Sequence, residues 1–358
     1  MTFFSFLNFF DWKLNLAVLF IAIVGILSLA STDQSLFYKQ LIWLGVGLII
    51  MILLVKLDWR PLINHAGIIW GIYLAVIFLL LITYFFAPSI RGSKGWLPIG
   101  PLKIQISEFA KISLIILFAY FFSRRHISIA RISNLLISFF YFSIPAALIA
   151  LQPDLGSALI FFAIWLGFLL VSGIRWRHLV GAIVIFLILG AIMWGSVLKD
   201  YQKNRIIGVF FPERDFLGVN YNVIQAKIAI GSAGFLGKGF GQGTQAQLGF
   251  LPEAQTDFIF AAATEEFGLI VGFLTIAAFA FLTFSIIRIG FNSDSNFSRF
   301  VCLGTVIMFS AQFILNVGSN LGLTPVIGVT FPFLSYGGSS LLTNFILIGI
   351  IQSVAIKR

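Results

Sequence analysis

Residues 61–86, PLINHAGIIWGIYLAVIFLLLITYFF, hold no aspartate, glutamate, lysine or arginine. As an α-helix such a run crosses roughly 30 Å of hydrocarbon while every backbone N–H and C=O is satisfied within the segment. Outward from it, further apolar runs lie near 14–31, 40–56, 107–123, 131–151, 155–173, 178–197, 258–288, 297–319 and 336–356. They are roughly 17 residues or longer and do not alternate, which selects helices over a membrane β-barrel. The composition agrees: 59% of residues are hydrophobic, 10% are charged, and the mean hydropathy of +1.04 excludes an ordinary soluble domain. The sequence therefore predicts an all-α integral membrane protein of about ten transmembrane helices, with a large extracytoplasmic loop between helices seven and eight. No fixed-period repeat is present, so residues 1–358 read as a single polytopic transmembrane domain, with 199–257 as that loop. Leu16–Ala30 resembles the core of a signal peptide, but in a chain apolar throughout it reads as an uncleaved first span.

The net charge of +10 would suggest nucleic acid on a soluble chain. Here the basic residues sit in short loops, where topology and anionic headgroups account for them, and no nucleic-acid partner is expected. Lys13, Lys56, Arg60, Arg124, Arg125, Arg131, Arg175, Arg177, Arg288, Arg299, Lys357 and Arg358 fall on one side, and Lys39, Arg91, Lys94 and Lys103 on the other. The positive-inside rule then makes both termini cytoplasmic, and the 87–106 and 199–257 loops extracytoplasmic. Cys302 is the one cysteine and reads as a small core residue; His65, His126 and His178 are too far apart for a histidine-built metal site.

The acids gather toward the predicted outer face. Asp154, Glu213, Asp215, Glu253 and Asp257 lie in or beside the outer loops, and Glu108, Glu265 and Glu266 lie inside adjoining spans, which implies a polar pocket opening outward. Around Asp257, PEAQTDFIFAAATEEFG enters helix eight directly from the loop. Thr256 or Asp257 would serve there as the N-cap, a role that keeps a carboxylate ionised. Alternatively Asp257 is a general base, for which burial raises the proton affinity, or a ligand for a divalent cation. Glu265 falls roughly 12 Å deeper and about 80° round a helix from Asp257, with Glu266 nearly opposite. An acid at that depth either faces the pocket or is paired with a basic residue.

Glu108 and Lys111, in ISEFAKI, stand at i and i+3 and would form an intramembrane ion pair that either orients helices or lines the cavity. The preceding RGSKGWLPIGPLK places Arg91, Lys94 and Lys103 in a Gly/Pro-rich loop, either simply solvated or able to hold a phosphate. Asp154 in LQPDLGSA sits at a break, with helix capping set against catalysis. GKGFGQG lacks the Gly-Lys-Ser/Thr ending and a preceding strand, so it is no nucleotide loop and no organic cofactor is expected. TPVIGVTFPFLSYGGSS, which includes Ser339, has the broken backbone of a re-entrant wall of the same pocket.

Six separated motifs resemble one family, the shape, elongation, division and sporulation (SEDS) polymerases of the bacterial cell wall: RGSKGW (91–96), SEFAK (107–111), LQPDLGSA (151–158), AKIAIGSAGFLGKGF (226–240), LPEAQTDFIFA (251–261) and PFLSYGGSS (332–340). GTQAQLGFLPE is more similar to the elongation (RodA) branch than to the division (FtsW) branch. Gln255, Ile106 and Ala233 depart from a usual histidine, proline and glycine. The resemblance implies an inverting peptidoglycan glycosyltransferase of the bacterial cytoplasmic membrane that polymerises lipid II, serving cell elongation and rod shape. Asp257 is then the catalytic residue, acting directly or through Mg2+ or Mn2+. Lys111, Arg91, Lys94 and Arg205 become candidates for the diphosphate, Glu108, Thr256 and Glu265 line the substrate site, and Asp154, Glu253 and Ser339 support it. A class B penicillin-binding protein and other elongation-complex proteins are the implied partners. A lipid II flippase is the alternative from another class, but it should show internal pseudo-repeats and charges near the midplane. The septal polymerase of division is the alternative within the family.

Overall fold

The structure, a computed structural model, describes residues 10–56, 65–88, 93–100, 102–125, 132–173, 176–196, 199–211, 218 and 220–356. The bundle is built from α1 (Trp12–Thr32), α2 (Gln34–Lys56), α3 (Ala66–Phe86), α4 (Ile106–Arg125), α5 (Ile132–Leu151), α6 (Leu155–Val171) and α7 (Trp176–Ser196). Three helices follow within the long loop, α8 (Asp200–Phe210), α9 (Tyr221–Ser232) and α10 (Thr244–Gln247), and then α11 (Ile259–Phe291), α12 (Asn296–Leu321) and α13 (Gly338–Ile356) complete it. Among the described residues, nine helices have the length and apolarity to cross a membrane, and α6 adds a shorter apolar one. All ten coincide with the apolar runs, because a hydrocarbon-length run leaves the chain no other way to satisfy its backbone.

Two features go beyond the expected pattern. The 87–106 loop contains a two-stranded antiparallel hairpin, β1 (Trp96–Ile99) and β2 (Leu102–Gln105), with Gly100 at φ +61° in the turn. It is a small exception to an otherwise all-α chain. The described part of the 199–257 loop contains three helices, α8, α9 and α10.

Local signals fix the helix ends. Asp11 caps α1 by accepting from the backbone N–H of Lys13 and Leu14, Asp33 turns the chain into α2 by accepting from Leu36 N–H, and Gly322, left-handed at φ +73°, closes α12. The centre is α4 and α13, whose spans are mostly buried, packed with α12, α2 and α3. Phenylalanines serve two environments. Phe118, Phe122 and Phe168 form an edge-to-face and stacked cluster in the core, whereas Phe78, Phe85, Phe273 and Phe284 point outward on the bundle surface.

α11 is not one continuous helix. Gly268 takes φ 91° and ψ 168°, so the N–H groups of Leu269 and Ile270 turn away from the carbonyls of Glu265 and Glu266. The glycine-rich segment 234–239 fills the break. Leu269 N–H and Ile270 N–H donate to the Gly234 and Phe235 carbonyls at 3.0 and 3.3 Å, and Lys238 N–H and Gly239 N–H donate to the Glu265 and Glu266 carbonyls at 2.9 and 3.0 Å. The two helical bonds lost are thus replaced by four bonds across the break, as a buried backbone requires. A Cβ at Gly268 or Gly237 would overlap the backbone facing it, so the glycines are required sterically. This is the structural role of the sequence that superficially resembles a phosphate loop.

Candidate functional site

α11 begins at Ile259, just beyond the loop residues 253–258. The N-cap position is taken by Phe258, so neither Thr256 nor Asp257 stands at the N-cap position open to it in the sequence. Instead, the Asp257 backbone carbonyl is gripped from α12: Asn316 Nδ2 donates to it at 3.0 Å and Asn320 Nδ2 at 2.9 Å. Asn316 also donates to Val329 O at 2.8 Å, and Asn320 Oδ1 accepts from Ala261 N–H at 3.1 Å. Both asparagines are buried, whereas Asp257 is half-buried. The backbone of Asp257 is fixed, which sets where its carboxylate projects.

Residues 323–337 form an irregular strap over this turn, as the broken TPVIGVTFPFLSYGG pattern predicts. Ser335 Oγ donates to Thr256 O at 2.7 Å, and Tyr336 N–H donates to Gln255 O at 2.9 Å. Gly328, at φ +74°, faces the acid, with a Cβ built there 4.0 Å from Asp257 Oδ2. Across the strap, Gly156 at the start of α6 abuts Ile327 O and Val329, and Gly25 of α1 abuts Leu334 O. Arg205 on α8 donates to Val326 O at 3.1 Å. Among the described residues, the non-glycine positions with positive φ are Pro153, Glu253 and Phe333, at 30°, 55° and 66°. They lie in the α5–α6 turn, the Asp257 turn and the strap, so backbone strain is concentrated at one end of the bundle.

Asp154 caps α6 through Ser157 N–H at 3.0 Å and also accepts from Gln105 Nε2 at 3.1 Å and Ser107 Oγ at 3.4 Å. Gln105 N–H donates to Ser339 Oγ at 2.9 Å, tying the hairpin to the start of α13. One residue beyond Ser107, Lys111 Nζ meets Glu108 Oε1 at 2.7 Å, with side chains only 2% and 6% exposed. Glu108 Oε2 has no protein partner among the described residues. Asp154, Ser339, Glu108 and Lys111 therefore join Asp257, Thr256 and Arg205 at one end of the bundle through the strap and α6. Glu253 belongs to the same turn, its Oε2 accepting from Thr256 Oγ1 at 3.1 Å.

Other expected residues lie apart. Glu265 is completely buried away from this group. Lys238 Nζ binds its Oε1 at 2.6 Å, with Thr244 Oγ1 and Gln245 N–H each at 3.1 Å, so it follows the ion-pairing alternative and fastens the loop to α11. Glu266 accepts from Ser31 Oγ at 2.6 Å and Gln247 Nε2 at 3.0 Å and ties the same loop to α1. Lys94 is exposed, attached to the α5–α6 turn by its backbone N–H on Gln152 O at 3.3 Å. Arg91 lies outside the described residues. Among those residues no three of His, Cys, Asp and Glu gather for a metal ion.

Asn316, Asn320 and Gln105 escaped the sequence reading, which took Gly328 and Ser335 only as parts of the broken TPVIGVTFPFLSYGGSS stretch. The one available signal was the Asn316/Asn320 pair at i and i+4 in an apolar span, since amides at membrane depth bind other elements.

Against known proteins, a family model described as cell cycle protein and covering FtsW, RodA and SpoVE matches residues 5–358. The peptidoglycan glycosyltransferase MrdB of Escherichia coli is 34% identical over 96% of this chain and 92% of its own length. Stage V sporulation protein E of Bacillus subtilis is 34% identical over 90% and 88%. The crystal structure of the rod shape determining protein RodA of Thermus thermophilus is similar with a TM-score of 0.74 and 27% identity, over 98% of this chain and 97% of that one. A chain of a peptidoglycan synthase complex is similar with a TM-score of 0.83 and 31% identity over 98% of both. A match along nearly its whole length, in sequence and in fold, makes this multi-pass membrane protein a member of the FtsW, RodA and SpoVE family.

Proposed function

We propose that the chain is a peptidoglycan glycosyltransferase that polymerises lipid II at the outer face of the cytoplasmic membrane, with Asp257 as its catalytic residue. The observation that carries this is the clamp on Asp257: two buried amides of α12 hold its carbonyl, and the strap holds the carbonyls of Gln255 and Thr256 beside it. Named relatives that are peptidoglycan glycosyltransferases support the reaction class. Asp257 takes the proton from the acceptor sugar's 4-hydroxyl as that oxygen attacks the donor's anomeric carbon. The carbon–oxygen bond to the diphosphate breaks, configuration inverts, and undecaprenyl diphosphate leaves with the electron pair. Lys111 and Arg205 supply positive charge toward that leaving group.

Mg2+ or Mn2+ fits the donor chemistry, since such ions are commonly held by one or two carboxylates together with substrate phosphates. Asp257 is the residue that would hold it, and when bound the ion would offset phosphate charge. The positive-inside pattern supports an outward-facing Asp257 end with both termini in the cytoplasm. The partner is a class B penicillin-binding transpeptidase, in keeping with the likeness to a synthase-complex chain, and elongation is the setting. The test is purified protein, with and without that partner, given lipid II and assayed for glycan strands. Asp257→Asn should lower the rate at least 100-fold with folding intact. A variant that still polymerises refutes the assignment, as would translocation of labelled lipid II by protein that makes no glycan.

A further inference from the structure

A basic cavity lies beside the strap, at Val326. Arg205 and Gly208 of α8, Asn220 at the N-cap of α9, Lys227 of α9, Gly322 at the end of α12 and Val326 of the strap line a partly open cavity of about 70 Å³, with both cations exposed at its mouth. No acid is among its described lining residues. Two close approaches shape it: Gly208 faces the Asn220 amide and Gly322 faces the Lys227 ammonium, and in both places a Cβ would collide with that group. Asn220 is buried, so the amide is set in the wall. At about 10–15 Å³ for each water, the volume takes about five waters, enough for one or two phosphoryl groups and too little for a sugar. Two cations, an amide and glycine walls form the chemistry of a phosphate site.

We infer that Arg205, Lys227 and Asn220 form a phosphoryl-binding subsite that holds the phosphate of a membrane-anchored ligand. Which lipid it serves rests on the polymerase reading, where the ligand is the diphosphate of lipid II. Arg205 donates at the same time to Val326 O, two residues before the Gly328 that lies against the Asp257 carboxylate. Phosphate in the cavity therefore braces the strap over the acid.

The test uses the full chain in phosphatidylcholine nanodiscs, with inorganic pyrophosphate as the probe in calorimetric titration. Wild type and Asp257→Asn should bind it equally, Lys227→Gln at least 10-fold more weakly, and Lys227→Arg within 3-fold of wild type. In polymerisation, Lys227→Gln should raise KM for lipid II about 10-fold and change kcat less than 2-fold. Phosphatidylglycerol nanodiscs separate the sources: a headgroup occupant raises KM in wild type and not in Lys227→Gln, whereas a site reserved for lipid II shows the same KM in both discs. Unchanged pyrophosphate affinity in Lys227→Gln overturns the inference. So does lower thermal stability at unchanged KM, because Lys227 then only neutralises the C-terminal end of α12. If Asp257→Asn polymerises, the catalytic reading fails while the titration still judges the subsite.

Discussion

Replacing Gly268 by alanine tests whether the glycine-rich loop and the broken α11 are one unit. At φ 91° and ψ 168° the backbone is in a region almost confined to glycine, where another residue costs about 1–3 kcal/mol. The added Cβ also overlaps the Phe235 carbonyl and approaches Gly237 N and Leu236 C, all backbone atoms that can yield only if the loop shifts. A shift that breaks two of the four bridging hydrogen bonds costs about 2 kcal/mol more. With strain near 2, the sum is about 4 kcal/mol, or about a 1,000-fold change in the opening equilibrium. The measurement is hydrogen–deuterium exchange by mass spectrometry in nanodiscs. Peptides covering 234–240 and 265–272 should exchange about 1,000-fold faster, while those from α4 and α13 stay protected. Gly231→Ala is the control, because a Cβ there meets nothing within 4 Å and a helix favours alanine. Exchange in Gly268→Ala indistinguishable from that control would refute the coupling of loop and break.

Asn320→Ala removes one of the two amide bonds to the Asp257 carbonyl and the bond to Ala261 N–H, at about 1–3 kcal/mol for the buried N–H that loses its acceptor. Polymerisation should lose kcat with little change in KM; unaltered kcat would mean that the clamp does not position the acid. Glu108→Gln or Lys111→Met alone should destabilise by about 3–5 kcal/mol by leaving one buried charge, and the double variant should regain most of that loss in a denaturation experiment. Equal destabilisation in singles and double would show that the pair is not what the charges serve. Chelation with EDTA should abolish strand synthesis, and Mg2+ or Mn2+ should restore it; full activity in chelator removes the metal from the proposal.

The spans were legible because hydropathy at membrane length leaves one backbone solution, and α6, at 17 residues, was legible for the same reason. The acid-bearing end was legible too, since carboxylates and broken backbone accumulate there. The Gly268 break was not, because a glycine within an apolar run looks the same whether it packs, kinks or inverts, and only the partner loop 31 residues upstream (268 − 237) distinguishes these. Glu265 and Glu266 were misleading for a related reason. Helical geometry placed one of them toward the site, but α11 starts two residues beyond Asp257, at Ile259, and the glycine loop brings Lys238, Gln245 and Gln247 onto the pair.

The way Asp257 is held bears on its chemistry more than its neighbours do. A carboxylate used as a helix cap is committed to backbone N–H groups and is less available to a hydroxyl proton. Here the N-cap position belongs to Phe258, the backbone of Asp257 is held through its carbonyl by two buried amides, and the proposed proton transfer falls on its carboxylate. The same division appears in the strap: Ser335 and Tyr336 bind the carbonyls of Thr256 and Gln255, while Gly328 leaves open the space in front of the acid. A side chain at Gly328 would be strained by the left-handed backbone at φ +74° and would bring its Cβ to van der Waals contact with the Asp257 carboxylate. Gly328→Ala should accordingly depress kcat beyond what its effect on stability explains, and a variant that lost stability in proportion to activity would show the opening to be incidental.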